Sequence, residues 1–194
     1  MKPENILIDD RGYLRLTDFG LSKMEITDNN AFSVCGTPEY LAPEILYKQG
    51  HGKPVDWWCL GSLIYEMVVG LPPFYSKSRP ELFDKIKFSN PNIPPYVGHK
   101  LRNLLEGLFQ KKPENRIGSK MGAAEVKAHP WFEGMNWDGL INKKLKAPFV
   151  PLIKSFTDVS NFDPEFTQCE VESFNEASMK SEDGKAYYGS CGGR

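Results

Sequence analysis

Lys2-Pro3-Glu4-Asn5-Ile6-Leu7-Ile8-Asp9-Asp10-Arg11-Gly12-Tyr13-Leu14-Arg15-Leu16-Thr17-Asp18-Phe19-Gly20 holds two short apolar runs separated by a turn. Ile6, Leu7 and Ile8 form the first run. Tyr13, Leu14, Arg15 and Leu16 form the second, with Asp10, Arg11 and Gly12 between them. This is the pattern of a β-hairpin. A hairpin brings its two ends together, so Asn5 and Asp18 should lie close. An amide oxygen and a carboxylate are hard donors suited to Mg²⁺. Lys2 adds a cation beside them, which suits a phosphate in transfer. Each short motif alone is unspecific, and an isolated Asp-Phe-Gly is a turn signal. The specificity lies in their order, with a hairpin between them.

Working outward from the hairpin, two strands are marginal by themselves, so they are expected to pack on the helices of the remaining chain. Glu25 to Asn30 (EITDNN) is polar and aperiodic and reads as a mobile loop. From Ala42 the texture is helical. Pro43 suits a first helical turn, where its missing N–H costs nothing. Val55 to Gly70 is apolar on most sides, which places that helix in a core, and Asp56 fits its N-terminus. Pro80–Phe88 and Lys100–Phe109 read as amphipathic helices, the second with a Leu101, Leu104, Leu105 and Leu108 stripe. Ala123–His129 reads as a short one. Ala147 to Thr167 has prolines and spaced aromatics without a helical period, as in an extended tail wrapping a body. The polar residues beyond about 168 are expected to be disordered. There is no internal repeat.

Composition sets the class. Of 194 residues, 40% are hydrophobic and 25% charged, the profile of an ordinary globular chain. The net charge of -1 gives no electrostatic footprint for nucleic acid. No run approaches a membrane span, and the N-terminus lacks the plan of a secretion signal. Cys35, Cys59, Cys169 and Cys191 form no CxxC pair and read as reduced thiols. The expected compartment is a reducing one: the cytoplasm, with the nucleus also open.

KPEN, DFG (Asp18 to Gly20) and APE (Ala42 to Glu44) in that order are signatures that the eukaryotic protein kinases carry. CGTPEYLAPE (Cys35 to Glu44) resembles the AGC group of serine/threonine kinases. DWWCLG (Asp56 to Gly61), LPPF (Leu71 to Phe74), NRIG (Asn115 to Gly118) and HPWF (His129 to Phe132) fall where such kinases have similar motifs. FDPEFT (Phe162 to Thr167) is similar to the group's C-terminal tail. The resemblance covers roughly Met1 to Thr167. It implies a mainly α fold, a kinase-like large lobe with an N-terminal β-hairpin and an extended C-terminal tail. Residues 1–132 would be the large lobe and 133–194 the tail.

The resemblance also implies roles. Asn5 and Asp18 match the two magnesium-binding residues, and Lys2 the lysine that contacts the γ-phosphate of ATP. Thr37 matches a threonine that bonds the catalytic aspartate and lysine. Glu44 matches a glutamate paired with an arginine, here Arg116. Asp56 matches an aspartate that braces the catalytic loop. Glu4 and Glu66 match acidic residues that face an arginine in basic substrates, through a charge-assisted pair. Ser33 stands where the group carries a regulatory phosphosite for an upstream activating kinase, and Phe162 where a phenylalanine lies near adenine.

Some of the kinase pattern has no counterpart here. The aspartate that takes the substrate proton, the glycine-rich loop and the small lobe would all precede Met1. The expectation is a serine/threonine kinase fragment that acts when its upstream lobe is present. The alternative is a non-catalytic large lobe serving as an interaction module.

Overall fold

The hairpin forms as expected. In the computed structural model, which describes residues 1–22, 31 and 36–168, β1 (Ile6–Ile8) pairs antiparallel with β2 (Leu14–Leu16). Ile6 lies opposite Leu16, and Ile8 opposite Leu14. The turn closes through the Gly12 amide donating to the Asp9 carbonyl at 2.8 Å, with Gly12 at φ 83°. That left-handed backbone is costly for any residue with a Cβ, and glycine avoids the cost.

Helices dominate the remaining described residues. They are α1 (Pro43–Tyr47), α2 (Pro54–Val69), α3 (Arg79–Phe88), α4 (His99–Leu108), α5 (Ala123–Lys127), α6 (Trp137–Ile141) and α7 (Pro164–Thr167). The chain divides into two compact units, Met1–Pro151 and Leu152–Arg194. The core of the first lies between α2 and α4. Trp58 is fully buried, stacked on Phe74 at 5.6 Å and edge-on to Phe109 at 5.2 Å. Leu104, Leu105 and Leu108 of α4 are also fully buried. Gly61 allows the close crossing, because a Cβ there would lie 3.0 Å from the Leu108 Cβ. Lys111 closes the cluster, its Nζ 4.4 Å from the Phe74 ring centroid and 2.7 Å from the Ile86 carbonyl. Burial pulls its ammonium down to about 8, against the ring faces that favour the charged form.

Four expectations change. First, α2 is not buried all round: its body is, but Met67 near its C-terminus is 67% exposed. Second, α6 and the single turn of α7 occur where no periodicity marked them. Each is started by a side-chain cap, Asn136 accepting from the Gly139 amide and Asp163 from the Glu165 amide. Elements of four or five residues are too short to show a 3.6-residue period, so only their caps could betray them. Third, α4 and α5 end earlier than expected, at Leu108 and Lys127. Fourth, the hairpin is not held by burial: Leu7, Ile8, Leu14 and Leu16 are all exposed. It is anchored at its turn, by polar contacts to residues 143 and 145.

His129 gives a pH-dependent contribution to stability. Its Nδ1 accepts the Trp131 amide at 3.2 Å, which leaves the proton on Nε2, facing Asn103 Oδ1 at 3.0 Å. The ring is therefore neutral in the fold, and burial lowers its pKa below the usual value. A lowered folded value means the contribution is complete above the unfolded pKa of about 6.5 and fades as pH falls below it. Urea unfolding at pH 7 and pH 5 should show a smaller pH-dependent loss in His129→Gln than in the unsubstituted chain. Equal losses in the two would refute this role of the ring.

Candidate active site

The two ends of the hairpin meet. Asn5 Nδ2 donates to Asp18 Oδ2 at 3.3 Å, and the Thr17 amide donates to the Asn5 carbonyl at 2.8 Å. Asn5 belongs to a 3₁₀ turn, Pro3–Asn5, that enters β1. Asp18 leaves β2 with φ 59°, a left-handed conformation that Asp tolerates better than most residues. That backbone turns its carboxylate back towards Asn5 and lets Oδ1 accept the Gly20 amide at 3.4 Å. Strain of this kind persists where surrounding structure enforces it, and it gathers at functional sites.

Asn5, Asp18, Lys2 and Thr37 line one cavity of about 730 Å³. A carboxylate, an amide and an ammonium thus share one open cleft in the first unit. Thr37 precedes the 3₁₀ turn Pro38–Tyr40, whose Tyr40 amide donates to the Thr37 carbonyl at 3.0 Å.

Asp56 lies on the floor of the same cavity, at the third residue of α2 rather than at its cap. The residue keeps an exposed surface, although protein surrounds much of its carboxyl group. Desolvation raises its carboxyl above the usual range. Cys59, one turn further along α2, is a free thiol that donates to the Tyr40 carbonyl at 3.4 Å. Burial pushes this thiol up, so it is held as the unreactive neutral form.

Glu66 meets a tyrosine. The Tyr40 hydroxyl donates to Glu66 Oε2, and its pKa is raised first by burial and then by Glu66; Tyr40 lines the cavity, whereas Glu4 and Glu66 are not among its lining residues. No local pattern marks Tyr40 for this contact, although it sits inside the Cys35–Glu44 motif. A tyrosine in an apolar stretch gives no sign that its hydroxyl will meet a carboxylate 26 residues on.

Glu44 and Arg116 form a buried bidentate pair at 2.8 and 3.0 Å. Arg116 Nη1 also donates to the Pro54 carbonyl at 2.7 Å, and Nε to the Gln110 carbonyl at 3.1 Å. Its guanidinium lies 5.2 Å from the Trp58 ring centroid. The pair therefore ties α1, the start of α2 and the segment after α4 to one point. It makes no contact with the hairpin ends and holds the body that carries them.

Phe162 belongs to the second unit and is half exposed there. Ser33 lies outside the described residues, as do Cys35, Cys169, Cys191, the Glu25–Asn30 loop and everything after 168. Among the described residues, no helix is long and apolar enough to cross a membrane.

Comparison with known proteins identifies the family. The protein kinase domain matches residues 1–132, and the protein kinase C-terminal domain matches residues 153–185. The serine/threonine-protein kinase Sgk1 of Xenopus tropicalis is 52% identical over 169 residues, covering 87% of this chain and 40% of the relative. Protein kinase 2 of Dictyostelium discoideum is 50% identical over 168 residues, covering 87% and 35%. Human Sgk1 is 50% identical over 169 residues, covering 87% and 39%. The chain spans about 40% of the length of these relatives. With the hairpin ends paired, the helical body beneath them and most of its length matched, this chain belongs to the protein kinase family, within its AGC group.

Proposed function

We propose that this chain is the large lobe and tail of a serine/threonine protein kinase that moves the γ-phosphate of ATP to basic protein substrates. Residues 1–132 act as the lobe and 133–194 as the tail. The observation that carries the reading is the meeting of Asn5 and Asp18 in a cleft that also holds Lys2 and Thr37. This donor set fits Mg²⁺, which takes one or two protein oxygens and keeps several waters. Asn5 and Asp18 would hold the ion, and when bound it neutralises phosphate charge. Lys2 supplies a second positive charge at the cleft, and Thr37 lines it where a substrate hydroxyl would approach. The site works by placement and electrostatics, which carry most of phosphoryl transfer.

Substrate preference follows from charge. Glu66 accepts the hydroxyl of Tyr40, which lines the cleft, and Glu4 immediately precedes Asn5, which lines it too. The two carboxylates suit a guanidinium upstream of the accepting serine or threonine. Ser33 is the site we assign to an upstream activating kinase, and the cytoplasm is the compartment we assign to the protein.

The test is a chimera in which the upstream lobe of human Sgk1 precedes Met1, assayed with radiolabelled ATP. Transfer to a serine peptide with upstream arginine is expected, falling about tenfold or more when arginine becomes alanine, as loss of a charged hydrogen bond implies. The 194 residues alone should be silent, since they contain neither the proton acceptor nor the adenine wall of the kinase pattern. A folded chimera that binds the peptide without transferring phosphate would favour an interaction module instead. Equal rates on arginine-free peptides would remove the assigned role of Glu4 and Glu66.

A further inference from the structure

The hairpin that carries Asn5 and Asp18 is poorly buried, yet its turn is tied to chain more than 130 residues away. The Asp9 carboxylate accepts the Tyr13 amide at 2.8 Å and the Arg11 amide at 3.1 Å. It also pairs with Arg15 at 3.1 Å and with Lys143 Nζ at 3.3 Å. The Tyr13 hydroxyl donates to the Leu145 carbonyl at 2.5 Å, and Arg11 Nη2 to the Lys143 carbonyl at 3.0 Å. Lys143 Nζ lies 5.5 Å from the Tyr13 ring centroid. Gly12 completes the fit: a Cβ there would be 2.2 Å from the Phe149 carbonyl oxygen. These donors hold the Asp9 carboxyl down at about 2, the Tyr13 amide acting most strongly.

Such a clasp at the turn controls the opposite end. Three residues per strand make a lever of about 10 Å. At its near end, the Thr17 amide and hydroxyl both donate to the Asn5 carbonyl, at 2.8 and 3.2 Å. The strands have little buried apolar area to set their angle on the helical body. Holding the turn therefore sets where the near end sits over the cleft.

We infer that Asp9 and Tyr13 are positioning residues: clasped to Lys143 and Leu145, they orient the hairpin so that Asn5 and Asp18 present a metal site over the cleft. Neither touches the ion. The inference rests on the proposed metal-binding role of Asn5 and Asp18.

The experiment titrates Mn²⁺ into the full 194-residue chain and reads the free-ion electron paramagnetic resonance signal, with urea unfolding run on each variant. Tyr13→Phe, which removes one hydroxyl and keeps the ring, should weaken Mn²⁺ binding about tenfold, the lower end of what ligand-orienting partners are worth. Asp9→Asn should do the same. Lys143→Arg keeps the Asp9 pairing and should bind as the unsubstituted chain does. Asp18→Asn should lose the ion. If Asp18→Asn loses it while Tyr13→Phe and Asp9→Asn bind normally, the metal reading stands and the clasp inference is wrong. If Tyr13→Phe loses binding only in proportion to its unfolded fraction, the clasp serves stability alone and the inference is again wrong. If Asp18→Asn changes nothing, or the unsubstituted chain takes up no Mn²⁺, the metal reading falls and the inference falls with it.

Discussion

Arg116→Met is expected to destabilise the first unit by about 3–5 kcal/mol, the cost of leaving one member of a buried ion pair alone. The geometry makes a large value reasonable. Arg116 is fully buried and donates to Glu44, Pro54 and Gln110 at once. Removing it orphans a carboxylate and leaves two carbonyls short of a donor, and no water can reach them without opening the core. Since domains unfold at about 5–15 kcal/mol in total, the variant should sit near or beyond its limit. Glu44→Gln should cost less, because the amide oxygen still accepts one guanidinium N–H and the carbonyl contacts of Arg116 survive. The double variant Arg116→Met with Glu44→Leu should cost less than the two single losses added together. Urea midpoints at constant m-value measure all three. An Arg116→Met loss below about 1 kcal/mol, the size of an exposed pair, would mean the pair is not buried in solution.

Asp18→Asn is expected to leave stability nearly unchanged and to cut phosphoryl transfer in the chimera by orders of magnitude. Asp18 is exposed, so its loss removes no core contact, and Asn tolerates the left-handed backbone at φ 59° about as well. What disappears is the anionic donor. Metal-borne charge stabilisation is worth several kcal/mol, so transfer should fall by roughly 10²–10⁴. Raising Mg²⁺ should recover part of the rate, because the lost term is largely ion affinity. Asp18→Ala, which also removes the residue's tolerance of that backbone, should be no more active. A chimera with Asp18→Asn that keeps most of its rate would show that another group holds the ion. The two variants thus separate the two pairs: loss at Arg116 should read on stability, and loss at Asp18 on transfer.

Several features are legible in the residues alone because each depends on local pattern. Alternating apolar runs around Asp10-Arg11-Gly12 specify the hairpin, and a hairpin makes neighbours of Asn5 and Asp18 whatever surrounds it. The Leu104, Leu105 and Leu108 stripe specifies which face of α4 is buried. The ordered motifs from Lys2 to Phe132 indicate the kinase family without any tertiary information, and with it the pairing of Glu44 with Arg116, 72 residues apart.

Tertiary structure decided what depends on separations no local pattern encodes. A tyrosine hydroxyl bonds whatever oxygen folding brings to it. Tyr40 found Glu66 and Tyr13 found the Leu145 carbonyl, across 26 and 132 residues. The short helices α6 and α7 rest on single capping side chains, below the length at which periodicity can show. The anchoring of the hairpin could not be read either, since apolar strands suggest burial. Instead Leu14 stays 65% exposed while the polar turn takes the load through Asp9. Burial depends on what the rest of the chain places over a surface, and at this hairpin the described residues cover the turn and leave the strands open.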